Sequence, residues 1–198
     1  AVKLLDGDGN SAEPGLRFEF LNWIDNVEGR DFNRADQLYE TDLSKSVDSR
    51  KPQEIFDLAA EGTLGSIVTS ELTLDLQSSA SSSFTTARDA FSEIDPVDHV
   101  MLVTGYLVAN STGDHELKFG VNRKNMMQVF VETDSGYQEA LSSLELKTMT
   151  SMDMTAGEAY RVVAMVSKNS NVKSFSMQWK EPGDTNFTDI PADNLVAR

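Results

Sequence analysis

The sequence predicts an all-β fold, an antiparallel β-sandwich with a few short helices and long loops in its first half. Many short segments alternate apolar and polar residues, with turn chemistry between them. No helix follows each strand, which excludes a doubly wound α/β sheet. The 198 residues, 21.8 kDa and 39% apolar content supply one packed core of ordinary size. Residues 1–14 read as a linker or amino-terminal extension, and residues 15–198 as the domain.

The elements follow in order. Residues 1–14, AVKLLDGDGNSAEP, open apolar and turn polar and glycine-rich. Leu16 to Phe20 alternates with period two and predicts a strand. Residues 22–65 are irregular; NRADQLYE and PQEIFDLAAEG carry helical spacing, the second with Pro52 in its first turn and Gly62 as a stop. Ile67 to Thr69, and Leu72, Leu74 and Leu76 alternating with Thr73 and Asp75, predict half-buried strand. The tract 78–83, SSASSS, suits an exposed loop. Strands are then expected at 99–108, 116–121, 128–132, 144–147, 159–167 and 174–179. Alternation is expected to turn Val103, Leu107, Phe119, Val129, Val131, Val163, Met165 and Trp179 into the core. Met149, Met152 and Met154 suit a strand edge or core filler.

Composition removes several function classes. Seventeen basic against thirty-two acidic residues give a net charge of −15 and a pI near 4.4. Such a surface repels nucleic-acid phosphates and anionic headgroups, so neither nucleic acid nor membrane insertion is expected. No run of apolar residues is long enough to span a bilayer. Without cysteine there is no disulfide, thiolate chemistry or cysteine-based metal site. Only His99 and His115 occur, in no metalloprotease spacing, and no two acids are marked as a catalytic pair, so no enzyme is expected. The chain begins at Ala1 with no signal segment, which reads as a mature secreted form or a piece of a longer protein.

Four stretches in register resemble the PA14 domain family. HVMLVTGYLVANSTGDHELKFGV, from His99 to Val121, is similar to that family's central strand, small turn and following strand. Gly15-Leu16-Arg17-Phe18-Glu19-Phe20 is similar to its opening. Ala156-Gly157-Glu158-Ala159-Tyr160-Arg161-Val162 is similar to a later strand entry. Trp179-Lys180-Glu181-Pro182-Gly183, with Ile190-Pro191-Ala192-Asp193-Asn194-Leu195, is similar to its close. The residues also have plain structural roles: Gly105 and Gly113 permit close approach or positive φ, and Trp179 suits a core plug.

The resemblance implies a non-catalytic β-sandwich module of an extracellular or cell-surface protein such as an adhesin. Such a module is part of a larger surface protein and recognises a surface glycan or another cell-surface ligand. The resemblance also implies a Ca²⁺ held by two adjacent aspartates after the Phe-rich strand, completed by asparagines in a later loop. This chain departs there. Lys124 and Asn125 stand at the aspartate positions of the loop 122–127, while Asn169 and Asn171 occupy the later loop. An ammonium cannot ligate Ca²⁺ and repels it, so a weak or lost calcium site is expected. The alternative is a structural spacer or fibre subunit whose ligand loop has degenerated.

Asp6, Asp8 and Asn10 place oxygen donors at alternate positions, like the opening of a calcium loop. Ser11 and Arg17 stand where a complete EF-hand loop needs glycine and glutamate, so the alternatives are a solvated linker and a calcium-stiffened junction. Asn110-Ser111-Thr112 and Asn186-Phe187-Thr188 match the glycosylation acceptor pattern.

Overall fold

The computed structural model describes residues 13–22, 64–77, 82–97, 99–121, 127–133, 136–141, 149–168 and 172–197. Two antiparallel sheets face each other. The larger contains β1 (Leu16–Asn22), β2 (Gly65–Thr69), β4 (His99–Val108), β6 (Met127–Thr133), β7 (Gly136–Leu141), β9 (Ala159–Lys168) and β12 (Leu195–Val196). Its order is β2-β1-β4-β9-β6-β7, with β12 also paired to β4. The smaller contains β3 (Thr73–Asp75), β5 (Gly113–Val121), β8 (Met149–Met154), β10 (Ser174–Lys180) and β11 (Thr188–Asp189). Its order is β11-β10-β5-β8, with β3 on β10. The predicted β-sandwich is the observed fold.

Alternation explains which face each strand buries. Leu16, Phe18 and Phe20 of β1 point between the sheets, as do Met101, Val103 and Leu107 of β4. Leu117 and Phe119 of β5 and Phe175, Met177 and Trp179 of β10 meet them from the other side. Full burial of each large apolar side chain contributes about 1.5–3 kcal/mol of transfer free energy. Trp179 is the expected core plug, 1% exposed. Met152 and Met154 of the edge strand β8 fill the same core.

Val163 and Met165 correct the expected core. Both are buried, but Tyr160, Val162, Ala164 and Val166 are the β9 residues that join the inter-sheet cluster. In the ladders Val163 stands beside Thr104 and Phe130, and Met165 beside Leu102 and Gln128, on the opposite face of the sheet. β9 is apolar on both faces, so alternation alone does not say which parity meets the second sheet.

The tract 78–83 also needs correction. Residues 78–81 lie outside the described residues, but Ser82 caps helix α1 (Ser83–Asp89). Thr85 N–H donates to Ser82 Oγ and Ser82 N–H donates to Thr85 Oγ1, each at 3.1 Å. This reciprocal capping box satisfies amides that would otherwise open the helix unpaired. The helical stretches expected within 22–65, and the strand expected at 144–147, lie outside the described residues.

The two ends of the described domain meet. Gly15 N–H donates to Leu195 O, and Ala197 N–H donates to Glu13 O. Gly105 is required beside them, because a Cβ there would stand 2.8 Å from Val196 O and 2.5 Å from Leu16 Cδ2. Buried Asn194 closes the seam, its Nδ2 donating to Val108 O at 2.7 Å and to Asn110 Oδ1 at 2.8 Å.

Candidate ligand-binding pole

Strand ends define two poles. At one, β5 finishes at Val121, opposite Phe175 near the start of β10. β6 begins there at Met127, opposite Val166 and close to the end of β9 at Lys168. The segments 122–126 and 169–171 thus adjoin the ends of strands that are neighbours in register. β1 ends at the same pole, Asn22 opposite His99, and His99 pairs with Lys168. Lys124, Asn125, Asn169 and Asn171 themselves lie outside the described residues, as do Asp6, Asp8 and Asn10.

Beneath this pole lie three buried basic groups. Arg88, His99 and Lys168 are 0%, 0% and 2% exposed. Each donates to a backbone carbonyl: Arg88 Nη1 to Leu76 O at 3.0 Å, His99 Nδ1 to Asp95 O at 2.8 Å, and Lys168 Nζ to Val97 O at 3.3 Å. A carbonyl only accepts, so Nδ1 carries the imidazole proton. Burial pushes the His99 imidazole from 6.5 down to about 4; the Asp95 bond opposes this, and the charges of Arg88 and Lys168 add to it.

Parity was the signal that could have found them. His99 continues the inward face of Met101 and Val103, and Lys168 that of Val162, Ala164 and Val166. Arg88 lies one helical turn after buried Phe84.

The opposite pole carries a shallow polar cleft of about 230 Å³ on the outer face of the smaller sheet, between Asp114, Glu116, Ser151 and Lys180 and the turn at Pro182 and Gly183. Lys180 Nζ bonds Glu116 Oε2 at 3.1 Å. Asp114 stands directly opposite Asp153, whose hydrogen bond and charge push the Asp114 carboxyl up. Among the described residues, no group of three or more His, Asp or Glu side chains is arranged to hold a metal ion. Nor is any described helix long and apolar enough to cross a membrane.

No protein-family model matches the chain, and no curated protein matches it in sequence. Solved structures do match in fold. An epithelial adhesin 6 A domain from Candida glabrata, in complex with Galb1-3GlcNAc, superposes with a TM-score of 0.58 at 16% identity, covering 100% of this chain and 93% of that one. The PA14 domain of the antifreeze protein MpAFP gives 0.54 at 10% identity, covering 98% and 96%. An anti-sigma factor domain-containing protein from Clostridium clariflavum gives 0.54 at 10% identity over 93% of this chain, which spans 47% of that protein's length. The likeness is one of fold. It joins this sandwich to PA14 and adhesin A domains through architecture, at sequence identities that carry no residue roles.

Proposed function

We propose that this chain is a non-catalytic PA14-like binding module of an extracellular, cell-surface adhesin, and that it recognises carbohydrate at the pole bracketed by Val121, Met127 and Lys168. One observation carries the reading. The strand ends flanking 122–126 and 169–171 converge at one pole, while residues 13–15 and 195–197 meet toward the other. A chain tethered through that second pole presents the first one outward. The disaccharide complex of the adhesin A domain supports a glycan as the ligand class.

The donor set at 122–126 does not fit Ca²⁺. Replacing two carboxylates by the ammonium of Lys124 and the amide of Asn125 changes the charge beside a divalent ion by three units. Glycan capture here therefore runs through hydrogen bonds from Lys124, Asn125, Asn169 and Asn171. Calcium remains a candidate only at Asp6, Asp8 and Asn10, as a stiffener of the junction.

A glycan array probed with the chain in Ca²⁺ and again in chelator tests this reading, and the same glycans should be retained in both. The departure at Lys124 and Asn125 also favours a second reading, a structural spacer in a surface fibre. An array with no glycan retained under either condition supports that alternative.

A further inference from the structure

We propose that residues 82–97 form an acid-released latch on the loop pole, held down by the buried basic side chains of Arg88, His99 and Lys168. The apolar half of the latch is aromatic. Phe84 meets Phe18 and Phe20 at ring-centroid distances of 5.3 and 6.0 Å, and Phe91 meets Phe20 at 6.4 Å. Ile94 is buried with them.

The polar half is unusual. His99 of β4 and Lys168 of β9 hold carbonyls of the segment itself, those of Asp95 and Val97, while Arg88 of α1 reaches out to the carbonyl of Leu76. Arg88 also donates through Nε to Asp89 at 3.0 Å, and its Nη2 is buried with no hydrogen-bond partner among the described residues. Arg88 is paired with Asp89, and the imidazole that feels the charges of Arg88 and Lys168 is neutral above about pH 4.

Protonating His99 would put a third positive charge under the segment. Arg88 faces the ring from α1, Lys168 from β9 and Asp95 from the segment, with the Phe20 ring 5.6 Å away on β1. Once the segment lifts, the ring returns to water and to its ordinary value near 6.5. The latched value is about 4. The sign is that of a depressed base: the latch is at full strength above pH 6.5 and weakens as pH falls toward 4. Each pH unit in that window favours the released form about tenfold, roughly 300-fold over the whole window. Release also frees Lys168 from Val97, next to the segment 169–171. That consequence for ligand binding rests on the proposed glycan site, whereas the latch does not.

Hydrogen exchange of the whole chain, corrected for intrinsic rates, tests the latch at pH 7 and pH 4.5. Protection of residues 83–97 should fall about a hundredfold relative to the reference strand β5, and His99→Gln should abolish that difference. The carboxylates of Asp89, Glu93 and Asp95 belong to the same segment, and this variant separates their titration from that of the imidazole. Equal losses in the segment and in β5 would overturn the proposal, as would an unchanged pH response in His99→Gln. If that variant does not fold, the wild-type imidazole titration followed by NMR decides: a His99 midpoint near 4 supports the latch, and one near 6.5 overturns it.

Discussion

The two histidines occupy matching places toward opposite poles of the sandwich and meet different neighbours. Both are fully buried on the inward face of a strand, and both hold a carbonyl through Nδ1, Asp95 O for His99 and Gly113 O for His115. Both rings lie against an aromatic, Phe20 at 5.6 Å and Trp179 at 5.5 Å. His99, however, shares its pole with buried Arg88 and Lys168. Beside the His115 pole the seam is closed by Asn194 on Val108 O and Asn110, and the Tyr160 hydroxyl accepts from Thr155 N–H and donates to Glu158 Oε2 at 3.4 Å. Parity alone decides that a side chain is buried. For His99 burial itself is the main cause that lowers the imidazole, and the charges of Arg88 and Lys168 add to it.

The largest expected effect ignores the difference between poles. Phe18→Ala and Trp179→Ala each remove a fully buried ring from the shared core and should cost about 3–5 kcal/mol, read from urea unfolding. Both should lower a single transition; two separated transitions would mean that the poles unfold independently.

Next comes pH. Between pH 6.5 and 4 the wild type should lose up to about 3 kcal/mol that His99→Gln does not lose, because the folded imidazole resists protonation until about 4. Thermal melts of both proteins across that range check the difference.

At the closed pole, Asn194→Ala leaves the buried carbonyl of Val108 without its side-chain donor and should cost about 1–3 kcal/mol. Gly105→Ala drives a methyl toward Val196 O and Leu16 and should cost a similar ~1–3 kcal/mol. Neither loss should depend on pH between 7 and 4.5. The smallest effect is expected at the cleft, where Glu116→Gln breaks a partly exposed ion pair and should change stability by less than about 1 kcal/mol.

These outcomes bear on how much the sequence disclosed. The sandwich was legible, because Leu16 to Phe20, Leu72 to Leu76 and Ser174 to Trp179 bury alternate residues. β4 and β9 read as strands, but their apolar character on both faces hid the orientation of Val163 and Met165. Helix α1 was missed because its start lies in a serine tract that looks like a loop, and only the spacing of Ser82 and Thr85 marks the cap. The buried bases were missed for a different reason. A lysine closing a strand reads as a solvent-facing stop, although Lys168 keeps the inward parity of Val166. The ligand loops were named from resemblance, and the described strand ends locate only their anchors, Val121, Met127 and Lys168.

The central claim, that glycan recognition belongs to the loop pole, is tested most directly by one glycan array run with three proteins. These are the wild type, Asn169→Ala/Asn171→Ala at the loop pole and Glu116→Gln/Lys180→Met at the cleft. The wild type should retain a defined set of glycans, the loop variant should lose it, and the cleft variant should keep it. Loss in the cleft variant with retention in the loop variant would contradict the claim, and so would a wild type that retains no glycan.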